Sequence, residues 1–184
     1  LADGTKIPCD TAVVGIGLIP NVELAQMAGL DIDNGIVVDE TGRTSHPDIY
    51  AAGDVTNHSN ALLGRRIRLE SWENAQNQAI NSARAMLGHA QPYAEIPWFW
   101  SDQYDANIQM MGLPLEWNET VLRGDRDAGE FIEFYLQDGR IQGAAAINNA
   151  RDLRFTRRLM MADKTFSAAD LANPDVKLQR LLKD

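Results

Sequence analysis

Two prolines in six residues, Pro92 and Pro97, split this chain into stretches of different periodicity, because proline withholds the backbone donor that helices and inner strands need. Ahead of them, short β-branched runs alternate with helical segments, the pattern of an α/β layer. Behind them come period-two strands and then helices, the pattern of an α+β domain. In the first stretch "TAVVGIG" (11–17) predicts a buried strand ending in a loop, 20–30 a short helix closed by Gly29, and "GIVVD" (35–39) a strand with a turn after it. A further strand is expected at 48–52. Residues 70–87 predict the longest helix, with Trp72, Ala75, Ala79, Ile80, Ala83, Met86 and Leu87 on one apolar stripe packed closely on a sheet, and Gly88 as its stop.

Beyond the prolines, strands are expected at 108–112, 120–124, 130–136 and 141–147, the last two joined by a turn at Asp138 and Gly139. Helices are expected over 151–162, with Leu153, Met160 and Met161 as core candidates, over 167–172 with Ser167 as cap, and over 177–182. With 45% hydrophobic and 23% charged residues in 184, the chain can bury a core without staples. It has no apolar run near the roughly eighteen residues a membrane helix needs, and no signal-peptide pattern, which points to a cytoplasmic protein with no membrane partner. A lone cysteine, Cys9, excludes an internal disulfide or a CxxC pair, so redox chemistry would need an added cofactor. A net charge of -9 opposes nucleic acid as a general partner. His46, His58 and His89 stand at no ligand spacing, so no metal site is expected and they read as surface or loop residues. Asp3 and Gly4 look like a hairpin turn with only Leu1 and Ala2 before it, so the chain is expected to continue a longer protein.

The stretch "HPDIYAAGDVT" (46–56) narrows to Ala51, Ala52 and Gly53 and then presents Asp54 and Val55. Cleared side chains let a flat or extended ligand approach the main chain, and an acid just beyond can accept from sugar or ribityl hydroxyls; the plainer reading is that Asp54 caps a turn. The helix start at Glu70, Ser71 and Trp72 offers unpaired amides and partial positive charge, or simply abuts a loop, and Trp72 is either core or a ligand contact. "PWFWSDQYD" (97–105) carries Trp98, Phe99, Trp100 and Tyr104; if it is extended, Trp98 and Trp100 share one face, as a junction plug or a functional pair. Arg65, Arg66 and Arg68 in a loop, with Arg84 on the helix, are either solvated surface or a basic patch.

In this order, "VVGIGLIPN", "TSHPDIYAAGD", "ESWENAQNQA" and "PWFWSDQYD" resemble the ferredoxin reductases of oxygenase systems, over about residues 1–147. The resemblance implies an α/β plus α+β fold class, the C-terminal part of a two-dinucleotide-binding-domain flavoprotein, ending in an antiparallel-sheet domain with helices. Its parts would be the tail of an NADH domain (1–43), a return to the FAD domain (44–91) and a C-terminal α+β domain (92–184). It implies FAD at Gly53, Asp54, Val55, Glu70, Ser71 and Trp72, with NAD(P)H bordering Gly15, Ile16 and Gly17. Trp100 would lie beside the flavin as an electron-transfer or shielding residue. The implied partner is a 2Fe-2S ferredoxin or rubredoxin-like acceptor, docking at Arg65, Arg66, Arg68 and Arg84, and a homodimer is an allowed state. Neither GxGxxG fingerprint is present, and the absence of histidine after His89 departs from the disulfide-reductase branch. A reading of another class is a non-catalytic dimerisation or docking module like that of apoptosis-inducing-factor-like flavoproteins.

Overall fold

Strict alternation in "EFIEFYLQ" buries Ile132, Phe134 and Leu136 completely on one face of a strand, and the largest layer of the molecule forms around them. The computed structural model describes residues 1–162 and 164–182. In chain order its elements are α1 (Glu23–Met27), β1 (Ile36–Val38), β2 (Thr56–Asn60), β3 (Arg65–Ile67), α2 (Trp72–Met86), β4 (Trp98–Gln103), β5 (Ala106–Gly112), β6 (Glu119–Asp125), β7 (Glu130–Gln137), β8 (Arg140–Ile147), α3 (Ala150–Met160) and α4 (Ala168–Ala172), then a 3-10 turn (Leu178–Leu182).

Strands β4 to β8 form one antiparallel sheet in the order β4-β5-β8-β7-β6. Asp138 and Gly139 turn β7 into β8 with positive φ at both positions (51° and 77°), the geometry that matches strand twist. Leu153, Leu159, Leu171 and Leu178 from the helices close over Ile132 and Phe134, so this half holds the hydrophobic core. Each such side chain contributes about 1.5–3 kcal/mol by leaving water. Met160 is half-buried and Met161 exposed, because Leu153, Thr156 and Leu159 are the residues that fall on the buried face of α3. Ser167 makes no side-chain cap bond.

Arg123 on β6 points into this core beside Val121, a place where sequence pattern expects an aliphatic residue. Its guanidinium pairs with Asp152 at 2.8 Å and donates to the carbonyls of Leu171, Asn173, Pro174 and Val176. Those carbonyls lie at and beyond the end of α4, so one planar cation ties together the turn that follows the helix.

The first half differs more from expectation. No strand forms at 11–17; the whole segment 1–19 is exposed and irregular, because no neighbouring strand pairs with it. Residues 48–52 make only an isolated bridge, Arg43 to Tyr50. The strand instead follows Asp54: β2, "TNHSN", lies parallel to β1 and antiparallel to β3, so Arg65 and Arg66 belong to a strand and not a loop. Buried β2 is polar and its side chains bond to backbone: Asn57 Nδ2 donates to the carbonyl of Asp33 at 2.6 Å and Asn60 Nδ2 to that of Glu95 at 2.9 Å. His58 is buried, contrary to a surface reading, with its ring 5.5 Å from that of Tyr93; His46 and His89 are exposed.

Helix α2 also turns the other way. Its buried face is Asn74, Gln78, Ser82 and Ala85, whereas Trp72, Ala79, Ile80, Ala83, Met86 and Leu87 of the apolar stripe are exposed. The surface beneath α2 is loop backbone, which needs hydrogen-bond partners, and so the polar face is the one that fits. Contact there is close: a Cβ on Gly42, whose φ is +83°, would sit 2.0 Å from Ser82 Oγ.

Candidate functional site

The loop after Ala52 is built on one buried amide side chain. Gln78 Oε1 accepts from the amide of Gly53 at 2.7 Å and from Thr56 Oγ1 at 2.9 Å. The Thr56 amide closes the turn on the Gly53 carbonyl at 2.9 Å, with Gly53 at φ +85°, a conformation that disfavours any side chain. Asp54 is thereby presented at the loop's tip. Its carboxylate has no hydrogen-bond partner among the described residues, while its carbonyl accepts from Arg68 at 3.3 Å. Arg68 also pairs with Glu70 at 2.8 Å, tying the loop to the approach of α2.

Ser71 is extended and caps α2, its Oγ accepting from the Asn74 amide at 3.2 Å. The Trp72 and Glu73 amides have no helical acceptor and give this end its partial positive charge. The Trp72 indole meets Trp100 edge-on, with centroids 6.0 Å apart and 77° between planes, and Trp100 stacks on Trp98 at 4.8 Å and 24°. Asp54, Glu70, Ser71, Trp72, Ala75, Phe99 and Trp100 line an open cleft of about 440 Å³. An unpaired acceptor, a helix end suited to negative charge and flat indole faces thus share one wall-to-wall space.

The structure therefore gathers Asp54, Glu70, Ser71, Trp72 and Trp100 around one cleft. Gly53 stands behind it as the hinge of the loop. Val55 is also behind it, its carbonyl accepting from the Ile36 amide at 2.8 Å. Gly15, Ile16 and Gly17 lie in the exposed first segment and do not line it. Ala75 was expected only as a packing residue of the helix stripe and Phe99 only as part of an aromatic cluster, and nothing local marks the supporting Gln78. Of the four arginines, Arg66 is engaged as a brace, donating to the carbonyls of Val38 (2.8 Å) and Asn57, and Arg68 is paired. Arg65 and Arg84 have no side-chain partner among the described residues.

Across the junction, Arg157 of α3 reaches Glu73 of α2 at 3.5 Å and also pairs with Glu95 of the linker. Burial pushes the Glu73 carboxyl above its ordinary range, with Arg157 acting against the rise. Tyr93 OH donates to Asn74 Oδ1 at 3.2 Å, and burial raises its pKa. A larger hollow of about 710 Å³ lies elsewhere, under α3, where Arg123, Asp125, Asp152 and Lys177 mix both signs of charge. Its most buried ion, Arg123, is engaged in holding the chain.

Residues 1–79 match the family model described as pyridine nucleotide-disulphide oxidoreductase, and residues 98–182 match that described as Reductase C-terminal. Together they define an oxidoreductase class with a specialised last domain. The anthranilate 1,2-dioxygenase system ferredoxin--NAD(+) reductase component of Burkholderia cepacia is 51% identical over 181 residues, 98% of this chain and 45% of that protein. A crystal structure of a ferredoxin reductase from Rhodopseudomonas palustris superposes with a TM-score of 0.92 at 38% identity, covering 98% of this chain and 45% of that one. The covalent putidaredoxin reductase-putidaredoxin complex gives 0.89 at 37%, covering 98% and 43%. Residues 1–79 and 98–182 thus carry segments of these two families, and the chain corresponds to the C-terminal portion of the ferredoxin reductases that it matches. It spans less than half the length of the relatives it matches. These matches imply FAD and NAD(P)H as cofactors. The cleft suits part of such a group: Asp54 can accept from a polyol, the α2 terminus can face an electron-rich carbonyl edge, and the indoles can border a flat ring system.

Among the described residues no helix is long and apolar enough to cross a membrane, and no His, Cys, Asp and Glu cluster could hold a metal ion.

Proposed function

We propose that this chain forms the FAD-facing and acceptor-facing part of an NAD(P)H-dependent reductase that serves an iron-sulfur protein of an oxygenase system. The observation that carries this is the meeting of the Asp54 loop, the start of α2 and Trp100 at one cleft. Bound there, FAD would accept a hydride from NAD(P)H and release its electrons singly to the iron-sulfur partner.

Each residue's part in this follows from its chemistry. Asp54 accepts hydroxyl hydrogens and fixes the ligand's long axis. Glu70, held by Arg68, keeps its charge local and its side chain out of the cleft's centre. Ser71 and Trp72 begin the helix whose amides face an electron-rich ring edge, and Gly53 and Val55 set the loop's height behind them. Trp100 closes the opposite wall, excluding water and standing on the side towards the electron acceptor. Gly15, Ile16 and Gly17 contribute to the nicotinamide side in the complete polypeptide. No side chain is assigned as a general acid or base.

The division into 1–43, 44–91 and 92–184 is part of this reading; Asp163, Lys183 and Asp184 in the last part lie outside the described residues. A cytoplasmic setting and a homodimer are compatible with it. Docking of a 2Fe-2S ferredoxin or rubredoxin-like acceptor would use Arg65 and Arg84, the two cations of the expected four that are free of partners.

The test is stopped-flow kinetics on the complete polypeptide. Trp100→Ala should slow reduction of the iron-sulfur protein about tenfold or more while NADH-driven flavin reduction changes much less. Equal slowing of both steps would remove Trp100 from the electron route. Rising salt should weaken acceptor binding in the same assay; a salt-independent Michaelis constant would remove the arginines.

A further inference from the structure

We infer that Gln109 and Asn107 are positioning residues for the Trp98-Trp100 pair, oriented by a one-way hydrogen-bond relay that ends on Asp102. This rests on the reading that Trp100 borders the flavin.

The register of β4 against β5 sets up the relay. Trp100 faces Gln109 and Asp102 faces Asn107, and period two puts Trp98, Trp100 and Asp102 on the same side of β4. Trp98 Nε1 donates to Gln109 Oε1 at 3.2 Å, Gln109 Nε2 donates to Asn107 Oδ1 at 2.7 Å, and Asn107 Nδ2 donates to Asp102 Oδ1 at 2.7 Å. Every bond runs in one direction, and the two ends explain why. An indole N–H can only donate, and an ionised carboxylate can only accept. Two amides placed between them must therefore lie head to tail, because turning either one would set donor against donor or acceptor against acceptor.

The middle of the relay is anchored independently. The Asn107 amide donates to Asn148 Oδ1 at 2.8 Å and the Asn148 amide donates to the Asn107 carbonyl at 2.9 Å. Asn107 is thus fixed by its main chain and given direction by Asp102. Gln109 then holds the polar edge of the Trp98 ring, and Trp98 stacks along Trp100, which lines the cleft. Packing alone leaves a half-buried indole free to turn about its outer torsion; a directed bond to its N–H removes that freedom. Asp102 itself is exposed on the sheet's edge strand, so an acid at the surface sets the orientation of a ring in the cleft wall.

The experiment uses the complete polypeptide and three variants, Gln109→Leu, Asp102→Asn and Trp98→Phe. Two readings are taken: the part of the ultraviolet circular-dichroism couplet that comes from the stacked Trp98 and Trp100 indoles, identified as what Trp98→Phe removes beside the Trp72-Trp100 signal, and the separate rates of flavin reduction by NADH and of acceptor reduction. Gln109→Leu should remove most of the couplet and slow acceptor reduction about tenfold, with flavin reduction within about twofold of wild type. Asp102→Asn keeps the side chain's size but lets both amides turn over, so it should give a smaller loss of the same two signals. Wild-type couplet and wild-type acceptor rate in both variants would overturn the inference, as would loss of the couplet with no change in acceptor reduction. If Gln109→Leu fails to fold, the exposed Asp102→Asn substitution decides alone. A wild-type protein that purifies colourless would sink the flavin reading instead, while the couplet would still judge the relay.

Discussion

Replacing Gln78 with methionine probes the support beneath the candidate site. Methionine matches glutamine in length and helix propensity, so the change removes little except the amide. Two donors lose their shared acceptor. The single Thr56 hydroxyl hydrogen can turn wholly to the Gly53 carbonyl, 2.8 Å away, so that donor stays satisfied. The Gly53 amide has no such alternative among the described residues, and its acceptor, 2.7 Å away on a residue 1% exposed, disappears. An orphaned buried donor costs about 1–3 kcal/mol, and a central value near 2 kcal/mol corresponds to a urea midpoint lower by about 1 M for a denaturant slope of about 2 kcal/mol/M. The more specific assay is amide hydrogen exchange, because 2 kcal/mol of local opening should speed exchange at Gly53 roughly thirtyfold. Unchanged exchange at Gly53 together with an unchanged midpoint would show that Gln78 does not hold the loop.

Arg123→Met should lower stability by about 3–5 kcal/mol in urea titration, because it strands the half-buried Asp152 carboxylate as well as carbonyls at the end of α4; a loss under about 1 kcal/mol would contradict the role given to that guanidinium. His58 is buried and neutral, its pKa lowered from 6.5 to about 4 by burial first and by Arg66 second. The unfolded chain therefore takes up the proton at higher pH than the folded one. Stability should fall as pH drops through 6.5, with a loss of about 3 kcal/mol complete below about pH 4, and His58→Phe should remove that component. Identical acid profiles for the two proteins would exclude His58 as its source.

How much of this was legible in the sequence depended on whether apolar pattern or polar bonding built the element. Strands β5 to β8 and helix α3 follow their apolar periods, and Asp138 and Gly139 announce their turn, so they stood within a few residues of expectation. Strand β2 was invisible because "TNHSN" is buried through side-chain bonds to distant backbone, a tertiary circumstance that no local pattern carries. Helix α2 was placed correctly and oriented wrongly: the moment of its apolar stripe points away from Gln78 and Asn74, which meet a polar loop surface. The ordered motifs pointed to Asp54, Ser71, Trp72 and Trp100, which the structure brings to one cleft. Gln78, Gln109 and Asn107 were not, since a buried or half-buried amide shows its purpose only when its partners are in place.

The most direct measurement is the FAD dissociation constant of the complete polypeptide with Asp54 intact and with Asp54→Ala. The carboxylate has no other partner among the described residues, so folding should be little affected and the loss should fall on the ligand. A charge-assisted hydrogen bond of about 1.5–3 kcal/mol predicts FAD binding weaker by about tenfold to a hundredfold. An unchanged dissociation constant, with the variant folded, would mean that the loop presents its acid to nothing and that the cleft is not the flavin's place.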